Sequence, residues 1–304
     1  MLNYIFHVSD LHIRNGDAKF CRYQEYKDVF NRLYNSLKTK TKDIAYEEFV
    51  IVVSGDIFHN KNNIGNYGLL LYKTLIENLT SIGRTIVFHG NHDKNQNEVG
   101  QPSLLASTFE IPNLTILNTS TSFSIDDIGF SYVSIDDTLD TYKTCGRIDA
   151  LPPFPEIEEQ VKYKVALFHG TFAQVRLYNG TAVSDEHKPY PFEWVKDYDF
   201  AILGDIHLRQ HGIYNNKTQW GYSGSLIQQN YGEDIINHGY MIWDIRKKQI
   251  EEVNVYNEVG LINVKQEQEL SIRIRGKYEN LATYIKSNII MFPRHIDIKL
   301  HSNI

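Results

Sequence analysis

Five apolar runs along this chain each end in a short polar cluster. "YIFHVS" (residues 4–9) leads into Asp10-Leu11-His12, "FVIVVS" (49–54) into Gly55-Asp56, and "TIVFH" (85–89) into Gly90-Asn91-His92-Asp93. "KVALF" (164–168) is followed by His169-Gly170, and "FAIL" (200–203) by Gly204-Asp205-Ile206-His207. Short runs this rich in β-branched and aromatic residues, bounded by Gly, Asp and Asn, predict buried strands. Tyr26, Val29, Phe30, Leu33, Tyr34 and Leu37 recur at helical spacing between the first two clusters. A second helix is predicted over 67–81, stopped by Gly83.

Strands and helices alternate in this way to about residue 210, after which the pattern is β-rich. Alternation over 115–135 predicts short antiparallel strands. Residues 212–225 predict a hairpin turning at Asn215-Asn216, and 238–256 another turning at Arg246-Lys247-Lys248. From 259 the character changes. "SIRIRG", "ENLATYIKSNII" and "HIDIKL" form a β-α-β unit too small to stand alone. Residues 1–258 are therefore expected to form one domain, and 259–304 a small second unit that looks truncated or minimal.

A chain of 304 residues with 42% hydrophobic residues can bury a substantial core, and no apolar run is long enough to span a bilayer. The first residues lack a basic stretch followed by a long apolar one, and only two cysteines are present, Cys21 and Cys145. An intracellular, reducing compartment is expected. The net charge of −6 argues against a generic nucleic-acid binder, although part of that acidity belongs to the clusters themselves. The tracts Lys38, Lys40, Lys42 and Arg246, Lys247, Lys248 read as solvated faces.

The clusters are a ligand inventory. Asp10, Asp56 and Asp205 offer hard oxygens, Asn91 a neutral oxygen, and His12, His169 and His207 imidazole nitrogens. Mixed O/N donors suit Mn²⁺, Fe²⁺ or Zn²⁺ better than Ca²⁺. A pair of divalent ions in such a site activates water and stabilises charge on phosphoryl oxygens. Each cluster follows a strand, so all five are expected to meet at the carboxyl edge of the sheets. A lone Asp-x-His or Gly-Asp is ordinarily a turn; five clusters in this order carry the reading.

The series D-x-H, G-D, G-N-H-D, H-G and G-x-x-H resembles the calcineurin-like metallophosphoesterase superfamily. Within it, the chain is similar to the SbcD / meiotic-recombination-eleven nucleases of DNA double-strand-break repair. "SGDIFHNKN" (54–62), "DYDFAILGDIHLRQ" (197–210), and "YSGSLIQQNYGE" (222–233) followed by "HGYMIWDI" (238–245) carry that likeness. It implies a four-layer αββα sandwich of two mixed β-sheets flanked by helices, with a small C-terminal α+β capping segment. It also implies that Asp10, His12, Asp56 and His207 hold one ion and that Asp56, Asn91, His169 and Asp205 hold the other. His92 would sit by the phosphate, Asp93 would orient it through a hydrogen bond, and His59 would lie close to substrate. His7, His89, His187, His211, His238, His295 and His301 match nothing and read as structural or solvent-exposed.

The implied activity is a two-metal nuclease cleaving DNA ends or single strands, with Mn²⁺ as the expected ion and Mg²⁺, Fe²⁺ or Zn²⁺ as alternatives. Its implied partners are DNA, an SbcC-type SMC-like ABC ATPase and a second copy of itself, through a dimer contact near Tyr67 to Leu71. Two other functions stay open: a phosphodiesterase or phosphatase for small molecules, and a non-catalytic scaffold binding DNA or an ATPase. Asp205 is the departure, since the family usually has histidine there. It favours a harder ion, or else marks a decayed site, against which the other intact ligands argue.

Overall fold

The computed structural model describes residues 1–14, 22–61, 64–94, 111–139, 150–158, 160–266, 271–277 and 296–298. The predicted helix over 279–290, both cysteines, His295 and His301 lie outside these residues.

"FVIVVS" shows why the first sheet forms where it does. In β2 (Phe49–Ser54) every residue is buried. Val50 and Val52 face one apolar cluster while Ile51 and Val53 face another. A strand covered on both faces reads as a continuous apolar run, because its two-residue alternation is hidden. β1 (Tyr4–Val8), β2, β3 (Arg84–Phe88) and β4 (Leu114–Leu117) run parallel. On their outer side pack α1 (Tyr23–Thr41) and α2 (Gly65–Ile82), burying Tyr26, Val29, Phe30, Leu33 and Leu37 of the first and Leu71, Tyr72, Leu75, Ile76 and Leu79 of the second. Gly83 caps α2 by donating its N–H to the Leu79 carbonyl.

The segment 115–135 divides between two sheets. β4 joins β3 in parallel at the edge of the first sheet, contrary to the antiparallel expectation, since alternation specifies a strand but not its partner. β5 (Thr121–Ile125) and β6 (Ile128–Tyr132) form the antiparallel hairpin that starts the second sheet. After the short helix α3 (Ile135–Leu139), β7 (Tyr163–His169) and β8 (Phe200–Gly204) follow in parallel with β6. β9 (Gln210–Tyr214) and β10 (Thr218–Tyr222) form a hairpin whose turn residues Asn215 and Asn216 are both left-handed, as expected from its two adjacent asparagines. β11 (Gly239–Asp244) and β12 (Gln249–Asn254) return to the first sheet beside β1. The strand orders are β12-β11-β1-β2-β3-β4 and β5-β6-β7-β8-β10-β9.

The fold is therefore two mixed six-stranded sheets face to face. Between them lie Ile5, Val50, Val52, Ile86 and Phe88 from one sheet and Phe130, Val165, Leu167, Phe200 and Ile202 from the other, with Trp243. The outer face of the second sheet is covered differently from the first. Among the described residues its cover is loops and short 3-10 turns rich in aromatic residues, with Phe172, Tyr190, Phe192 and Val195 packing on Phe168, Leu203 and Tyr222. β13 (Val259–Gln266), β14 (Ser271–Lys277) and β15 (Ile296–Ile298) form a separate antiparallel sheet with β13 in the middle. No described helix is long and apolar enough to cross a membrane.

Candidate metal centre

The ends of β1, β2 and β3 in one sheet and of β7 and β8 in the other meet along one edge, and the turns there are strained. Asp10 (φ 50°), His12 (φ 45°), Asp56 (φ 50°) and Asp205 (φ 100°) all have positive φ, which side-chain-bearing residues rarely adopt. Cross-bonds hold the first two turns together: the N–H of His12 donates to the Asp56 carbonyl at 2.8 Å and that of Ile13 to the Ile57 carbonyl at 2.7 Å. Gly90 allows the third turn to close in. A Cβ there would lie 2.6 Å from both the Asp56 nitrogen and His169 Nε2.

These turns concentrate the predicted ligands. Asp56 Oδ1 lies 3.3 Å from His169 Nε2 and Oδ2 lies 3.4 Å from His12 Nε2, so one carboxylate faces two histidines from different sheets. His12 Nε2 in turn faces His207 Nε2 at 2.9 Å. Three sets of donors are close enough to share an ion: Asp10, His12 and His207; Asp10, Asp56 and His169; and His12, His59 and His92. Asp205 Oδ1 is 3.9 Å from His169 Nε2, and its other oxygen accepts a hydrogen bond from the Thr171 hydroxyl.

Burial makes this cluster electrostatically demanding. It pushes Asp10 up to about 6, His12 well below its ordinary value and His59 down to about 4. Burial works against a charged His169 as well, yet the carboxylates of Asp56, Asp10 and Asp205 outweigh it and raise the imidazole well above its usual range. Asp56 mirrors this: His169 and His12 overcome its desolvation and hold it well below the carboxylate range. His207 is raised to about 9, its burial being outweighed by Glu233 and then Asp10. The carboxylates thus call for positive charge at their centre.

That demand and the unpaired donors fit a pair of divalent ions. Asn91 Oδ1 and His169 Nε2 are buried with no hydrogen-bond partner. Unsatisfied polar atoms are costly in a protein interior, and a cation that displaces the His169 proton would satisfy both.

Residues 4–239 match the calcineurin-like phosphoesterase family. The chain belongs to that family. The chain is thus of the metallophosphoesterase superfamily, and its two facing sheets are the family's α/β sandwich. The uncharacterized protein R555 of Acanthamoeba polyphaga mimivirus is 34% identical over 268 residues, which take in 87% of this phosphoesterase chain and 19% of R555. The chain thus spans about a fifth of that relative's length. A dimetal phosphatase from Danio rerio superposes with a TM-score of 0.47 at 9% identity, over 91% of this chain and 99% of the other.

Within this phosphoesterase site one expectation fails. Asp93 does not hold His92. Its carboxylate accepts the backbone N–H groups of Phe58 (2.8 Å) and Gly90 (2.9 Å), because the Gly-Asn-His-Asp turn folds the side chain back beneath itself. His92 Nδ1 instead donates to the carbonyl oxygen of His59 at 2.7 Å, and the two rings stack with centroids 5.4 Å apart. Of the unmatched histidines, His7, His89 and His238 are buried while His187 and His211 are exposed. Three supporting residues had no motif to announce them: Ser9, whose hydroxyl donates to Asp10 at 2.5 Å, Thr171, and Glu233, 2.8 Å from His207 Nδ1. Ser9 and Glu233 each close a stretch the sequence singled out, "YIFHVS" and "YSGSLIQQNYGE", but neither was marked for this role.

Proposed function

We propose that this chain is a two-metal phosphodiesterase that cleaves DNA. Asp10, His12, Asp56 and His207 would hold one ion, and Asp56, Asn91, His169 and Asp205 the other. The observation that carries the two-ion part is the division of the Asp56 carboxylate between His12 and His169. Ions bound there polarise phosphoryl oxygens and lower the pKa of water, with Mn²⁺ the expected choice for this oxygen-rich set.

The chain's own residues would do the rest. The His59 carbonyl can only accept, so His92 carries its proton on Nδ1 and presents Nε2 to substrate. With a second proton on Nε2, the ring would stabilise the phosphoryl charge or pass that proton to the leaving oxygen, and return to the neutral form with its proton on Nδ1. DNA as substrate is supported by the two stretches most like the nuclease branch. One supplies His59, stacked on His92, and the other supplies the support of His207. An SbcC-type ATPase partner and a homodimer belong to the same reading. Tyr67, Leu69 and Leu70 are exposed on α2 and available to a second copy, whereas Leu71 is core. Residues 259–304, with their separate sheet, would be the capping unit.

A cleft of about 320 Å³ beside Asn91 and Asp205, floored by Ile135 and Tyr190, favours a second reading, a phosphodiesterase for small esters. One experiment separates them. The protein is incubated with Mn²⁺ or Mg²⁺ and single-stranded DNA, duplex ends or bis-p-nitrophenyl phosphate, with Asn91→Ala and His92→Ala as controls. Cleavage of DNA, abolished in both variants, is expected. Turnover of the small ester alone would assign the second reading, and no turnover at all a scaffold.

A further inference from the structure

A histidine that binds a metal must have its ring plane fixed and its proton on the nitrogen facing away. His169 meets this requirement through Nδ1, 2.7 Å from the Ser54 carbonyl in the neighbouring sheet. His207 lies in the turn after β8, and its side chain is 24% exposed. What orients it comes from a loop 26 residues further on.

His207 Nδ1 lies 2.8 Å from Oε1 of Glu233, whose side chain is only 2% exposed. A buried carboxylate is costly unless surrounded by donors, and this one is. The Asn230 side-chain amide donates to Oε1 at 2.6 Å, and the Gln229 N–H donates to Oε2 at 2.7 Å, with the Ser225 hydroxyl 3.4 Å away. The loop is itself pinned. The Gln228 side chain pairs with both the N–H and the carbonyl of Leu261 on β13, and Arg22 donates to the Gln228 carbonyl at 2.8 Å.

We infer that Glu233 is a positioning residue, which fixes His207 with its proton on Nδ1 and aims the Nε2 lone pair at the point where Asp10 and His12 converge. A carboxylate only accepts, so the shared proton belongs to the imidazole, and Nε2 is left facing His12 Nε2 at 2.9 Å. Glu233 touches neither ion nor substrate; it acts through His207. The inference rests on the two-ion reading of the site and is independent of which phosphodiester is cleaved.

The test uses the full chain. Titration calorimetry with Mn²⁺ first establishes two ions in the wild type; fewer would overturn the two-ion reading itself, and this inference with it, before any variant is made. In Glu233→Gln, affinity for one of the two ions is expected to fall about ten- to a hundredfold while the other holds. Asn230→Ala removes one donor to Oε1 but leaves the carboxylate against His207, and should lower the same affinity by less than Glu233→Gln. Unchanged binding in Glu233→Gln, or an equal loss in Asn230→Ala, would overturn the inference. Should Glu233→Gln fail to fold, ¹⁵N-histidine NMR of the Zn²⁺-loaded wild type decides. A proton on His207 Nδ1 is expected, and one on Nε2 would refute it.

Discussion

The imidazole of His92 is tethered by the main-chain carbonyl of His59, 2.7 Å from Nδ1, and not by the carboxylate of Asp93 beside it. The two neighbours therefore have separable jobs. His92→Asn should lower kcat about a hundred- to ten-thousandfold, the range for losing a proton-transfer group, with metal binding intact. Asp93→Asn places an amide donor against the N–H of either Phe58 or Gly90 and should cost about 1–3 kcal/mol of stability. Urea unfolding and kcat–pH profiles check both. A shifted pH profile in Asp93→Asn matching that of the His92 variant would show that the carboxylate does act through His92.

Gly90 has no room for a side chain. Gly90→Ala puts a methyl group 2.6 Å from His169 Nε2 and the Asp56 nitrogen and closer still to Asp56 Oδ1, so the ligands on both sides must shift or the turn must open. Overpacking of this kind costs about 1–3 kcal/mol. The protein should remain folded by circular dichroism but lose calorimetric binding of at least one ion. Full two-ion binding in this variant would mean that the cluster is looser than these distances.

Asp205 departs from the usual histidine and sets the charge of the site. Two divalent ions with three aspartates leave about one positive charge, and a histidine at 205 would leave about two. Asp205→His should therefore lower the pH optimum of phosphodiester cleavage and shift preference from Mn²⁺ toward softer ions such as Zn²⁺. Rate–pH profiles with each ion read this directly. If neither quantity changes, Asp205 does not tune the site.

His7 makes acid stability testable away from the ligands. Buried on β1 with Nε2 2.8 Å from the Ser54 hydroxyl, it is pushed down by desolvation to about 3. The unfolded chain protonates this side chain near 6.5 and the folded chain only near 3. Its contribution is thus complete above about pH 6.5 and is lost as pH falls from there toward 3. Stability should drop by about 1.4 kcal/mol per pH unit from this group in that window. His7→Gln should flatten that limb in urea titrations across pH; an unchanged slope would place the acid sensitivity elsewhere.

The strands and ligands were legible because both rest on local signals. Apolar runs covered on two faces cannot alternate, and Gly, Asp and Asn are the residues that turn sharply at their ends, so "FVIVVS" and Gly55-Asp56 announce each other. β4 was misread because alternation specifies a strand but not the sheet it joins. The Asp93 contact was misread for a related reason: adjacency along the chain suggested a partner for His92, but the turn folds the two side chains apart. Glu233 closed a stretch noted only for its likeness to the nuclease branch, and nothing local marked its role, since a glutamate in a glycine-containing loop looks the same whether it faces solvent or a histidine 26 residues earlier.

By itself the sequence determined which groups could take part: three aspartates, an asparagine and three histidines, each at the end of a strand. Only the tertiary structure decided how they are shared. Asp56 stands between His12 and His169 because two sheets bring their carboxyl ends to one edge, and His207 faces His12 because a loop from beyond β10 turns its ring. Composition and spacing fix the chemistry of donors, but their orientation depends on hydrogen bonds between residues far apart in the chain, which no local pattern encodes.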